Sequence, residues 1–226
     1  PYPTLFPYTT LFRSYRAVAT NITVRDQRGD PMKPAQKIIA FTALLLLGLA
    51  PVLTAQILRL TLKQMVEQTD GAVHGTITAS HVTHLAETKD GPDMFFTTLT
   101  IEGKDLIGGQ ACKVEVSFPG GFVDEHTGVW NSEAPNADDQ RIGSQIVAFW
   151  KVCDDLGGGF SGNALYTSHG GLFRTFQDKR GRKVVLGRGK GYAVELNQQL
   201  PLLRKSIQAL DKAKQERKAQ NKNRNF

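Results

Sequence analysis

From position 72 the chain reads AVHGTITASHV, in which Val73, Gly75, Ile77 and Ala79 alternate with His74, Thr76, Thr78 and Ser80. A period of two sends successive side chains to opposite faces, so the segment predicts a strand with one buried face. The pattern recurs. MFFTTLTIEG follows the turn signal Asp90-Gly-Pro92, and ACKVEVSF sets Cys112, Val114, Val116 and Phe118 on one face before Pro119-Gly-Gly121 stops it. IVAFWKV, residues 146–152, is almost continuously apolar and ends at Gly157-Gly-Gly159. NALYTS and LFRTF are separated by His169-Gly-Gly171, and KRGRKVVL predicts a hairpin turning at Arg180-Gly181. About six short strands at this spacing predict a mainly β fold, a small barrel or sandwich.

Two helices flank the strands. Thr61-Leu-Lys-Gln64 has the form of a capping box, and Leu62, Met65 and Val66 share a helical face. The helix is expected to end near Asp70-Gly71 through a left-handed glycine. At Leu200 the period changes, and Leu200, Leu203, Ile207 and Leu210 form one stripe that should dock on the barrel. Beyond Asp211 the aliphatic stripe stops, so residues 212–226 are expected to be a frayed basic tail. Residues 124–140 are polar and predict a long surface loop.

The N-terminal part reads differently. Residues 4–14, TLFPYTTLFRS, match codon for codon the translation of a short-read sequencing adapter. Residues 1–31 are therefore expected to be an artefactual or untranslated leader. From Met32, two lysines precede an apolar run that closes on small residues at Thr54-Ala55. That is the pattern of a secretory signal over 32–55, too short for a spanning helix of ~20 apolar residues. The barrel domain is expected over 56–199 and the helix with its tail over 200–226. The periplasm or the exterior is the expected location, with an uncleaved signal anchor as the alternative.

The formal charge of +7 belongs to the ends of the chain. Residues 56–203 hold 14 Lys/Arg against 17 Asp/Glu. A nucleic-acid partner is therefore not expected. Two cysteines in an exported chain predict a disulfide, Cys112 to Cys153.

The stretch LTLKQMVEQTDGAVHG at residues 60–75, Phe118-Pro-Gly-Gly121, and RIGSQIVAFW at residues 141–150 resemble motifs of a group of uncharacterised exported bacterial proteins. The order of the pieces also resembles netrin-like domains and tissue inhibitors of metalloproteinases. The resemblance covers roughly 60–195 and implies a small OB-like β-barrel. The loop 122–140 and the basic C-terminal helix depart from that pattern. The N-terminal cysteine with which such inhibitors meet a protease zinc is absent, so protease inhibition does not carry over.

Candidate chemistry is sparse. His81-x-x-His84, with His126 or Asp124 from the loop, offers zinc-type ligands. Residues three apart on a strand face opposite ways, so that site needs a bulge. Gly159-Phe-Ser161-Gly-Asn163 lacks the last glycine of a nucleophile elbow. Gly187-Arg-Gly-Lys190-Gly191 lacks the spacing of a phosphate loop. Both predict turns. Asp124-Glu125, Asp138-Asp139 and Asp154-Asp155 read as solvated loops, and the patch from Lys179 to Lys183 as a charged hairpin tip. The leading expectation is an exported, non-enzymatic binding module of the bacterial cell envelope. It needs no cofactor, meets a protein or envelope ligand, and touches anionic membrane weakly through 212–226. The alternative is an envelope metal-dependent hydrolase using His81, His84 and His126; a third class is a purely electrostatic anchor.

Overall fold

The structure, a computed structural model, describes residues 59–86 and 92–224. All lie in the unit Ile57–Phe226. The expected leader 1–31, the signal 32–55 and the first two residues of the turn at Asp90 lie outside the described residues.

Helix α1 spans Leu62–Gln68 and begins with the expected capping box. The Gln64 amide donates to Thr61 Oγ1 at 3.3 Å, and the Thr61 amide donates to Gln64 Oε1 at 3.0 Å. Its end departs from expectation. Thr69 is extended rather than left-handed, and its hydroxyl donates to Met65 O at 2.8 Å. Gly71 serves a close approach instead: a Cβ there would lie 2.4 Å from the indole of Trp150.

The strands are β1 (Gly71–Leu85), β2 (Met94–Asp105), β3 (Ala111–Pro119), β4 (Gly121–Phe122), β5 (Gly128–Val129), β6 (Gln145–Cys153), β7 (Gly162–Leu165), β8 (Leu172–Gln177), β9 (Lys183–Val185) and β10 (Gln198–Gln199). A 3-10 turn, Ser168–Gly171, precedes β8, and helix α2 spans Leu200–Arg224. Strands β1, β2, β3, β7 and β6 close into a five-stranded barrel, because β6 returns to pair with β1. β3 and β7 run parallel and the other barrel pairs antiparallel. The architecture is the expected mainly β, OB-like barrel with a short N-terminal helix and a C-terminal helix. Beyond β6, strands β8, β9 and β10 extend the sheet as a leaf, and β8 and β9 form the hairpin expected at Arg180-Gly181.

Two apolar cores result from the alternation. Val73, Ile77, Leu99, Ile101, Val116 and Phe118 contribute to the one inside the barrel. The other lies on the outer face, where Val147, Phe149 and Phe173 meet α1 and α2. The alternation in β1 holds only to Ile77. A bulge between Ile77 and Ala79 leaves Ala79 exposed, against the sequence pattern.

Leu203 and Ile207 of α2 are fully buried, with Leu200 and Leu210 packed beside them, so the stripe docks as expected. The tail does not fray after Asp211. It stays helical to Arg224 because two of its cations have fixed partners. Lys214 Nζ donates to Val66 O at 3.0 Å and to Thr69 O at 2.6 Å. Arg217 Nη2 meets Glu67 Oε1 at 2.7 Å. A cation at the C-terminal carbonyls of α1 satisfies acceptors that have no partner within that helix and favours its dipole. No described helix is long and apolar enough to cross a membrane.

Candidate binding clefts

The three candidate metal histidines are not brought together. His81 is exposed on β1 opposite Thr98. His84 lies opposite Phe95, stacks on its ring at 4.4 Å and meets Asp93 Oδ2 at 2.8 Å. His126 is exposed in the β4–β5 turn, where its amide donates to Asp124 Oδ1 at 2.8 Å. Among the described residues no group of three His, Cys, Asp or Glu side chains is arranged to hold a metal.

The expected disulfide is corrected as well: Cys112 and Cys153 are both free thiols. Cys112 stands opposite Gly103 and Cys153 opposite Gly162. The β3–β7 register makes Cys153 level with Glu115, three residues along β3 from Cys112 with β7 in between. At ~4.8 Å per strand and ~3.3 Å per residue the Cα atoms are roughly 14 Å apart, twice the ~7 Å limit for a bridge. Burial, reinforced by the nearby Asp105 charge, pushes the Cys112 thiol up, which keeps it protonated and unreactive.

OB-type barrels commonly bind ligands on the face of their second and third strands, beside the loops joining strands one to two and four to five. Here that region is filled by the chain itself. Phe160, from the loop between β6 and β7, stacks on Phe96 at 4.8 Å, and Phe96 is buried. Thr98 and Ser117 are buried and share a 2.8 Å hydrogen bond. The segment that imitates a nucleophile elbow was expected to be a turn; it leaves a turn at its first glycine, where Asp155 Oδ1 accepts from the Gly157 and Gly159 amides at 2.7 and 3.1 Å, and enters β7 at Gly162.

Open space lies at the other end. There β3 begins before it meets β7, and a cleft of about 490 Å³ opens between the barrel mouth and α2. Val73, Val114 and Trp150 give it apolar walls. Asp70, Asp105 and Asp211 line it, contributed by the residue before β1, the end of β2 and α2. Two of these carboxylates are fixed by backbone. Asp70 Oδ2 accepts from the Val152 amide at 2.9 Å, and the Asp105 oxygens accept from Ile107 and Gly108. Lys113, which also lines the cleft, is turned to Glu102 at 3.1 Å.

A second cleft of about 300 Å³ lies on the outer face of β1 and β2, under the first turns of α2. His74, Lys104, Arg204 and Lys205 line it together with Leu106, Leu200 and Pro201. Burial, and then the charge of Lys183, lower the pKa of His74 to about 4. The sign follows from linkage. Below the ordinary value of 6.5 the unfolded chain takes up a proton that the native imidazole refuses until about pH 4. Stability is therefore lost as pH falls through that window. The half-buried ring is partly screened, so the loss is on the order of 1–2 kcal/mol. His169, whose pKa is also lowered by burial, acts in the same direction. His74→Gln is expected to flatten the stability profile between pH 6.5 and 4 in urea titrations; an unchanged slope would contradict the burial of this ring.

A third polar group, invisible as such in the sequence, sits between the 120–144 segment and β8. Asp139 was expected in a solvated loop but is 5% exposed. Its Oδ2 accepts from Arg188 Nη2 at 3.1 Å, and its Oδ1 lies 3.1 Å from Arg174 Nε, an ion-pair distance without hydrogen-bond alignment. Arg188 also donates to Leu172 O and lies over the Phe173 ring. The glycines around Arg188 form a turn, as expected; the signal that mattered was the arginine they carry inward. Thr167 and Ser168 beside this group are buried with positive φ of 54° and 47°, an unusual pair for residues with side chains.

Comparison of the chain with family models, with curated proteins and with solved structures finds no match.

Proposed function

We propose that the chain is an exported, non-enzymatic binding module of the bacterial cell envelope, and that the barrel-mouth cleft takes a cationic ligand or a basic side chain of a partner protein. The observation that carries this reading is the three aspartates lining a 490 Å³ cleft walled by Trp150. That volume is in the range of small-ligand sites, and mouths of β-barrels are among their usual places. An indole face and carboxylates fixed by backbone amides both attract a cation, and neither has to reorganise to receive it. Export rests on the Lys33/Lys37 and apolar pattern of 32–55, and the envelope on the resemblance of residues 60–195. The exposed Lys212, Lys218 and Lys222 of α2 add a weak attraction to anionic membrane.

The test uses the chain's two tryptophans. Trp130→Phe removes the exposed one and leaves Trp150 as the reporter. Titration with spermidine at constant ionic strength is expected to quench Trp150 fluorescence saturably. Asp211→Asn should weaken the interaction by roughly fivefold, about 1 kcal/mol. Quenching that never saturates, or that ignores Asp211, removes the ligand reading. Recovery of the expressed chain in the cytoplasmic rather than the osmotic-shock fraction removes the export reading.

A further inference from the structure

The smaller cleft is a separate site of opposite charge. Lys104 on β2 and Lys205 on α2 have no ion-pair or side-chain hydrogen-bond partner among the described residues, and Arg204 has no ion-pair partner among them. Its one lining carboxylate, Asp105, also lines the barrel-mouth cleft and is held by the Ile107 and Gly108 amides at 3.1 and 2.6 Å, so a single acid stands against three cations. Two nitrogens there, His74 Nε2 and Arg204 Nε, are out of reach of solvent and have no hydrogen-bond partner. A buried polar group without a partner costs about 1–3 kcal/mol, and such groups are rare unless a ligand or ion satisfies them; Arg204 Nε is a donor, and His74 Nε2 becomes one when it carries the ring proton. Arg204 and Lys205 belong to the basic helix α2, whereas Lys104 comes from the stretch 56–203, in which acids outnumber bases.

The first turn of α2, which contains no acidic residue, forms one wall. The N-terminal end of the helix dipole adds to the positive potential of the three side chains. The rest of the wall is Leu106, Leu200 and Pro201. Gly109, with φ +83°, lets the Arg204 guanidinium lie flat on the β2–β3 turn; a Cβ there would be 2.1 Å from Nη2.

We infer that this cleft binds a phosphomonoester carried on a short apolar body, with the phosphate held by Lys104, Arg204, Lys205 and the His74 imidazole. Three cations match a dianion better than a single carboxylate, and the apolar wall has room for a few methylene groups beside it. Lys183 from β9 acts on His74 through its charge, and Lys104 and Asp105 from β2 and Arg204 and Lys205 from α2 line the cleft with it. A bound phosphate reverses the electrostatic balance of that set and raises the His74 pKa.

The experiment is an NMR titration of the full chain with hexyl phosphate, inorganic phosphate, hexanoate and hexanol, at fixed ionic strength. Hexyl phosphate is expected to shift the His74 and Lys104 resonances saturably and to bind at least tenfold more tightly than any of the other three. Its saturation should move the His74 titration upward. Lys104→Gln and Arg204→Gln should each weaken it at least fivefold, and Lys190→Gln, outside the cleft, should not. The exposed Lys104 keeps the test open if Arg204→Gln fails to fold. Equal binding of hexanoate overturns the dianion assignment, and equal binding of inorganic phosphate overturns the apolar body. Binding that survives Lys104→Gln, or an unmoved His74 titration, overturns the site. None of these results depends on the barrel-mouth cleft.

Discussion

Leu203→Asp is expected to unfold the domain. Leu203 is fully buried where α2 meets the outer face of the barrel, among Val147, Phe149, Phe173 and Ile207. Losing a buried leucine costs ~2–5 kcal/mol from transfer and cavity alone. The new carboxylate adds the penalty of an unpaired buried charge. The sum rivals the ~5–15 kcal/mol that holds an ordinary domain together. Leu202→Asp, one residue earlier and 56% exposed, is the matched control and should change stability by less than about 0.5 kcal/mol. Circular dichroism melts of the two variants decide the matter: similar curves would mean that α2 does not depend on this face. Truncation after Asp211 should fall between them. It removes Lys214 and leaves Val66 O and Thr69 O without their charged donor, which costs on the order of 1–3 kcal/mol.

Arg188→Met should be nearly as damaging. The Arg188 side chain is 16% exposed, and burial pulls its guanidinium below the ordinary arginine range while Asp139 opposes the shift. Without it, the buried Asp139 faces only Arg174, which is 45% exposed and misaligned with Oδ1. Leu172 O loses its side-chain donor at the same time. Breaking a buried pair from one side costs ~3–5 kcal/mol, because the surviving charge stays buried and alone. Adding Asp139→Asn should then recover part of the loss, since an amide needs less compensation. A double-mutant cycle that returns simple additivity would show that the two side chains do not work as a pair.

The sequence disclosed what depends on local order. Thr61 and Gln64 are three residues apart and formed their capping box; the strands followed the apolar alternation; Leu203 and Ile207 declared a buried helical face. What it hid depends on partners far along the chain. The bulge after Ile77 changes which face Ala79 presents, and no residue type marks it. Asp139 looks like any loop acid until Arg188 arrives from 49 positions away. Lys214 belongs to a run of charges that reads as solvated, and its acceptors lie 145 and 148 positions earlier. The clefts are harder still. Asp70, Asp105, Trp150 and Asp211 share a cleft only because the barrel closes, and no periodicity encodes that. The disulfide failed for the same reason: parity of cysteines says nothing about strand register.

The barrel is fastened unevenly. β1 and β2 pair over most of their length, and β2 and β3 over eight positions, but β3 and β7 share one, Ser117 with Ala164. The Asn163 side chain spans the gap beside it by donating to Glu115 O at 2.9 Å. Local opening costs least where the fewest contacts must break. The seam is therefore the expected place of local opening, and hydrogen exchange is expected to be faster for the amides along it than for those of the β1–β2 ladder. The seam adjoins the mouth cleft, so loosening of a single rung widens the entrance without dismantling either core. A guest that bridged β3 and β6 would work as the missing stitch, making the whole wall slower to open when occupied.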